Sequence, residues 1–421
     1  MTLHDDHERQ GSWQDQGVAG KEAWTLKLLG DVCDFQRGLT YSKSDEVDIS
    51  ANVVLRATNI DLATNTLALD ELKHIGDKTF VPDIKKVKNG SLMICMASGS
   101  KGHLGKVAYI DRDYGFAFGG FMGLITAREN LLPRYLFHLM TSKGYKDFIS
   151  GLSDGANINN LTFDKLRAFP IPVPPLPEQQ RIVDLLDEVF AGLATAKANA
   201  ERNLQNARAI FDSHLQSVFS QRRQGWEQRA LGGLCSIARG GSPRPISEFL
   251  TTEPGGVNWI KISDATSSGK YIYRAAQSIR PEGAARSRMV NEGDFILSNS
   301  MSFGRPYIMR TSGCIHDGWL VLSDYSASLE QDYLYYVLGS QLVFRQFDRL
   351  AAGSTVRNLN IDLASRVVLP VPPLDIQRAI VQEVEALAEE TQRLTRVYER
   401  KLAALDELKK TLLHKAFSGE L

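Results

Sequence analysis

The stretch "NNLTFDKLRAFPIPVPPLPEQQRIV", residues 159–183, returns as "RNLNIDLASRVVLPVPPLDIQRAIV", residues 357–381. The offset is constant: Pro172 aligns with Pro370, Pro174 and Pro175 with Pro372 and Pro373, and Gln179 with Gln377. Proline is excluded from helix interiors and central strands, so each run marks a junction, and a helical pattern begins directly after it. Each copy follows about 150 residues of mixed sequence. The chain therefore reads as two similar globular units, each followed by its own long helix. Such an arrangement suits a device that measures and recognises better than it suits a single active site.

The duplication extends outward from the prolines. "WTLKLLGDVCDFQRG" from Trp24 pairs with "WEQRALGGLCSIARG" from Trp226, which brings Arg37 opposite Arg239. "VLRATNI" from Val54 resembles "WIKISDA" from Trp259, and "VKNGSLMICMASGS" from Val87 resembles "VNEGDFILSNSMS" from Val290. Short β-rich runs punctuated by glycine give each unit an α+β reading, a twisted sheet with long loops and a few short helices. The expected divisions are a polar, disordered tail over 1–23, globular units over 24–176 and 222–374, and long helices over 177–221 and 375–421.

In the first helix apolar or small residues fall at Ile182, Leu186, Val189, Leu193, Ala196, Ala200, Leu204, Ala207, Phe211, Leu215 and Val218. The second carries Ile380, Val384, Leu387, Thr391, Leu394, Tyr398, Leu402, Leu405, Leu412 and Ala416. Steps alternating between four and three mark a coiled-coil seam, interrupted by a stutter in each helix. The short link between the first helix and the second unit lets the seams meet only if the helices run antiparallel. The expected result is an internally duplicated dumbbell with a pseudo-twofold axis.

Composition excludes several classes. Four scattered cysteines show no metal-ligand spacing and read as reduced thiols, with Cys33 and Cys235 at repeat-equivalent core positions. The reduced thiols suit a cytoplasmic protein, and no apolar run approaches the length of a membrane helix. Net charge is zero, yet residues 24–176 carry 18 basic and 16 acidic residues, and 222–374 carry 17 and 13. That mild basic bias is too weak for an autonomous DNA binder, and favours DNA only if partners add positive charge.

The tandem proline-to-helix junctions, the helices that follow and the ending "LLHKAFSGEL" resemble the DNA-specificity subunit of type I restriction–modification systems, from about Trp24 to Leu421. The resemblance implies α/β target recognition domains around a two-helix coiled coil, each domain reading one half of a split site in double-stranded DNA. It implies docking of two methyltransferase subunits, and a nuclease and translocase restriction subunit joining for cleavage. S-adenosylmethionine, ATP and magnesium would then belong to those partners, and this chain would hold no cofactor and no metal. The second junction has Asp375 and Ile376 where the first has Pro177 and Glu178, so the two docking surfaces need not be equal.

"GSKGHLGKV", residues 99–107, falls short of a phosphate-binding loop, since Val107 stands where the magnesium-binding hydroxyl is needed. Pro174-Pro175 lacks the amide of an adenine methyltransferase loop, and no catalytic constellation appears elsewhere. The 99–107 segment reads instead as a polar loop able to approach DNA, with Ser98, Ser100, Lys101, His103 and Lys106 as donors. Its counterpart offers Ser298, Asn299, Ser300, Ser302 and Arg305, and an ordinary hairpin loop is the competing reading. Residues shared by both heads, Arg37 with Arg239 and Asn160 with Asn358, suit structural or phosphate-contacting roles. Residues that differ at matched places suit base reading: Asn157 and Asn159 against Thr355 and Arg357, Arg56 and Asn59 against Lys261 and Asp264. Surface decoration competes for each. Histidines such as His103, His138 and His316 read as packing or surface groups. A two-headed coiled-coil scaffold that binds proteins is the rival function, kept open by the zero net charge.

Overall fold

The computed structural model describes residues 24–98, 103–153, 160–221, 224–299, 304–351 and 359–421 of the 421-residue chain. The expected tail over 1–23 lies outside them. The chain divides into two compact units, one running to Asn199 and completed by Leu402–Leu421, the other Ala200–Lys401. Each unit thus contains one head and a portion of both long helices, Leu176–Ser220 and Leu374–Ser418.

In the first unit an antiparallel sheet orders Cys33–Arg37, Met122–Ala127, Leu92–Cys95 and Val107–Tyr109. A second sheet orders Glu46–Val47, Lys73–Ile75, Asn52–Leu55 and Ala117–Phe118, the last pair parallel. The strand Leu92–Cys95 is buried on both faces, so its alternation serves two cores. Leu92 and Ile94 join the core beneath helices Pro133–Thr141 and Lys143–Ser153, whereas Met93 and Cys95 face a core with Leu55 and Phe118 of the second sheet. The second unit repeats the plan with five strands in each sheet. There Phe295 and Leu297 face one core and Ile296 the other.

The repeated proline segment is a staple. Pro170–Val173 pairs antiparallel with Thr25–Leu28, closing the head at the root of its helix, and Val368–Val371 does the same with Glu227–Ala230. Gln179, fully buried, accepts from Leu132 N at 2.8 Å and donates to the carbonyls of Asn130 at 3.0 Å and Pro174 at 2.8 Å. Gln377 accepts from Glu330 N at 2.8 Å and donates to Ser328 O at 2.9 Å and Pro372 O at 2.8 Å. A buried amide must satisfy both its donor and its acceptor, which explains why glutamine stands at this place twice.

Within each unit the two helices run antiparallel, because the start of one packs beside the end of the other. Ile182 and Leu186 share a core with Leu413 and Phe417 in the first unit, as Ile380 and Val384 do with Leu215 and Phe219 in the second. Phe417 meets the edge of Tyr135 at 5.3 Å and Phe219 meets Tyr333 at 5.6 Å, ring centre to ring centre. Among the seam residues, Ala200 and Ala207 are buried, and their small side chains permit close approach. The ion pairs Lys197–Asp406 (2.9 Å) and Arg208–Glu399 (3.1 Å) flank the seam; exposed as they are, they favour this pairing only slightly.

Each head is further fastened to its helix through one acidic position. Asp187 accepts from Arg134 Nε at 3.1 Å and His138 Nε2 at 2.7 Å, and the Arg134 guanidinium lies over Tyr109 and Phe137. Burial works to raise the Asp187 pKa, but Arg134 and His138 hold it below the usual carboxylate value. At the matching position Glu385 pairs with Lys270 at 3.0 Å, and Lys270 also pairs with Asp332 at 2.7 Å. The Lys270 ammonium faces the rings of Tyr271, Tyr335 and Tyr336. Burial opposes its charge, but the two carboxylates outweigh burial and raise its pKa.

Candidate nucleic-acid interface

One turn in each head gathers the segments singled out by sequence. In the first head it is Gly119–Met122, closed by Met122 N donating to Gly119 O at 2.8 Å. Four hydrogen bonds tie other segments to it: Gly38 N to Met122 O (3.1 Å), Leu39 N to Phe118 O (2.7 Å), Gly119 N to Leu55 O (2.9 Å) and Met96 N to Phe121 O (2.9 Å). Leu161 N then donates to Met96 O at 2.7 Å, and Ala97 bridges Asn160. The strand ends carrying Arg37 and Arg56, the Met96-Ala97 pair and Asn160 therefore converge on one hub.

The second head builds the same hub around residues 316–319. Trp319 N donates to His316 O at 3.1 Å, Gly240 N to Trp319 O at 2.9 Å, Gly241 N to Ile315 O at 3.0 Å, and Asn299 N to Gly318 O at 2.9 Å. Leu359 N donates to Asn299 O at 2.8 Å, matching Leu161 and Met96. Glycine is required where the strand end crosses the turn. A Cβ on Gly38 would lie 2.0 Å from Gly119 O, and one on Gly240 would lie 2.1 Å from His316 O.

The cations at the two hubs occupy matched places but differ in their contacts. Arg37 and Arg239 both end their strands exposed to solvent. Arg239 Nε donates to Asp317 O at 2.9 Å, whereas the Arg37 guanidinium makes no hydrogen bond to any described residue. Arg56 is exposed and Lys261 half-buried, each at the start of a short helical turn beside the hub. Asn160 is exposed, and Arg305 is exposed at the end of the loop that precedes Pro306–Met309.

Other candidates turn inward. Asn59 is 1% exposed: its Oδ1 accepts from Arg56 N at 2.9 Å and its Nδ2 donates to the carbonyls of Ala68 and Glu71, both at 2.9 Å. Its matched residue Asp264 accepts from Lys261 N at 2.8 Å. The two close the same turn, so Asn59 is corrected from base reader to framework residue. Asn299 is likewise 1% exposed and donates through Nδ2 to Asp317 O at 2.9 Å, a framework role rather than a reading one. Lys106 Nζ lies 3.0 Å from His103 Nδ1 and donates to Ile60 O at 3.4 Å. Burial pulls its ammonium below the ordinary lysine value, against the pull of Cys95. It is tied to Ile60, with His103 half-buried beside it. Ser98 is half-buried at the loop's start, and Ser298 is buried, its Oγ accepting from Arg305 N at 3.1 Å. Ser100, Lys101, Asn157, Asn159, Ser300, Ser302, Thr355, Arg357 and Asn358 lie outside the described residues.

The central residues of the hub turns, Gly120-Phe121 and Asp317-Gly318, escaped sequence reading. In the second head Asp317 accepts from Ser242 Oγ at 2.7 Å and Arg244 Nη2 at 3.2 Å. The Ser242 bond is the main reason its carboxyl stays below the usual range. His316 Nδ1 accepts from Gly318 N at 2.9 Å, and burial pulls its pKa down, so the imidazole is neutral near pH 7. The flanks of the two turns differ in sequence, so only the shared hydrogen bonds reveal that they match.

Among the described residues no group of three His, Cys, Asp or Glu could hold a metal, and no helix is long and apolar enough to cross a membrane. Burial pushes the thiols of Cys33 and Cys235 up to about 12, which leaves them inert as nucleophiles near pH 7.

These are features of a duplicated recognition protein, and the comparisons with known proteins name the class. The family model described as type I restriction modification DNA specificity domain matches twice, over residues 21–203 and 223–401, and the chain belongs to that family. It is 24% identical to the StySPI specificity subunit of Salmonella potsdam, over 95% of this chain and 89% of the relative. It is also 24% identical to the EcoKI specificity subunit of Escherichia coli K12, over 96% and 90%. The fold matches a chain solved in a study of complex assembly and conformational transition of a type I R-M system, with TM-score 0.74 and 21% identity over 94% of this chain and 98% of that one. The HsdS subunit from Thermoanaerobacter tengcongensis matches with TM-score 0.60 and 21% identity, over 94% and 97%.

Proposed function

We propose that this chain is the non-catalytic specificity subunit of a type I restriction–modification complex, with each head reading one half of a bipartite site in double-stranded DNA. The observation that carries this reading is the hub built twice on one hydrogen-bonded frame with different side chains at matched positions. A shared frame with variable side chains is what reading two different half-sites requires. Arg37 and Arg239, equal in both heads, suit phosphate contacts that fix register, whereas Arg56 opposite Lys261 suits sequence reading. The long helices set the distance between half-sites and dock two methyltransferase subunits. Those partners bring S-adenosylmethionine, and a nuclease–translocase subunit brings ATP and magnesium, all in the cytoplasm. The scaffold alternative is disfavoured because it gives no reason for exposed arginines at both hubs.

The test compares the isolated chain with its complex with cognate methyltransferase subunits. The expected outcome is no adenine methylation by the isolated chain, weak and salt-sensitive duplex binding, and site-specific methylation by the complex. Methylation by the chain alone contradicts the proposal.

A further inference from the structure

We infer that Phe121 is a specificity-determining residue of the first head, selecting a thymine by covering its 5-methyl group in the major groove. The inference rests on the reading of the heads as DNA readers and extends it to one residue and one base feature.

The Phe121 side chain is 74% exposed although its backbone is held on both sides of the turn. Phe121 O accepts from Met96 N, and the following residue closes the turn on Gly119. The position is therefore fixed while the ring contributes little to the head's own core. The second head shows that the frame does not need the ring, since the same backbone bond is made there to buried Gly318. An aromatic ring exposed where glycine would serve the fold is best explained by something outside the chain that the ring touches.

Its neighbours indicate what that is. Arg37, Arg56 and Asn160 surround the same hub with donors, which read phosphates and the polar edges of bases. The thymine methyl is the one major-groove feature that donors do not read and an apolar side chain does. Gly119 and Gly120, on the N-terminal side of Phe121, carry no side chain that would hold a base edge away. The second head has Gly318 at the place of Phe121, and its neighbour Asp317, opposite Gly120, is held by Ser242 and Arg244, so only the first head presents an apolar group there.

The experiment uses the complete methyltransferase complex and duplexes bearing its mapped site. The half-site belonging to the first head is assigned by exchanging residues 24–176 for the matching head of a relative. Each thymine in each half-site is then replaced singly by deoxyuridine, which lacks the methyl group, and Kd is measured for wild type and Phe121→Ala. One replacement in the first head's half-site should weaken wild type about fourfold, the factor for burying one methyl group. The same replacement should leave Phe121→Ala unchanged, and replacements in the other half-site should not distinguish the two proteins. A first half-site without thymine, or equal weakening of Phe121→Ala on thymine and uracil duplexes, overturns the inference; the latter would indicate a wedge between base steps. Unfolding of Phe121→Ala, measured alongside, should match wild type. Failure of the DNA-reading proposal itself would appear earlier, as a head exchange that changes neither half-site.

Discussion

The two heads share a frame and differ in what they mount on it. Gln179 and Gln377 make the same three hydrogen bonds, Tyr135 and Tyr333 donate to the carbonyls of the matched prolines Pro172 and Pro370, and both hubs close over a glycine strand end. The anchors and hub turns, in contrast, were refitted independently. The first head joins Asp187 to an arginine and a histidine from helix Pro133–Thr141, whereas the second joins Glu385 to Lys270, which precedes strand Tyr271–Ile272. Where Arg134 stands in the first head, the second has Asp332, and where His138 stands it has Tyr336. Backbone-satisfying residues are constrained by geometry and repeat, while a charge pair needs only opposite signs at the right separation and can be rebuilt from another element.

The largest effect should come from breaking the shared frame. Gln179→Ala and Gln377→Ala each leave one buried N–H and two carbonyls without their partner, and each should destabilise its own unit by about 4 kcal/mol. Hydrogen exchange that follows the two units separately should show similar losses, each confined to the mutated unit. A large loss at one glutamine and none at the other would break the equivalence.

Acid should weaken the first unit through His138. Burial depresses the His138 pKa to about 4 from an ordinary 6.5, overcoming Asp187, with Arg134 and Lys409 also opposing the charge. As pH falls, unfolded His138 takes up a proton through 6.5 while the folded group waits until about 4. The first unit therefore loses stability across that window and nothing more from this group below it. The span corresponds to at most about 3 kcal/mol. Asp187, held below its ordinary value, adds a loss only as pH falls through the normal carboxylate range. Tyr336 does not titrate in this window, so the second unit lacks this contribution at the matched position, although His316, also depressed by burial, gives that unit a slope of the same sign. His138→Gln should flatten the first unit's profile between pH 6.5 and 4.

Lys270→Ala should have a smaller effect, about 1–2 kcal/mol on the second unit, because Glu385 and Asp332 are partly exposed and solvent screens what remains. Adding Asp332→Arg to that variant installs the first head's arrangement of cation and acid, and should recover part of the loss. No recovery would show that the anchor depends on the route of Lys270 and not on charge alone.

The repeat, the proline junctions and the antiparallel pairing of the helices were legible because each follows from local rules: proline exclusion, seam spacing and chain reach. Candidate base readers were legible only as polar differences between the heads, and that signal mixed two causes. Arg56 against Lys261 is a difference at the surface. Asn59 against Asp264 is a difference inside a turn, where either side-chain oxygen accepts the same backbone N–H. The residue's place three positions into a helical turn was the clue to a capping role. The hub turns were hidden for another reason. Loops of unequal length displace residues 119–121 from 316–318 by an offset other than that of the proline segments, and only the hydrogen bonds restore the match.

Independence of the two readers is tested most directly by exchanging residues 24–176 for the matching head of a relative with a different target, then mapping methylated adenines across a genome. The result predicted is a site with one half replaced and the other half unchanged. Two altered halves, or an unaltered site, would contradict the account.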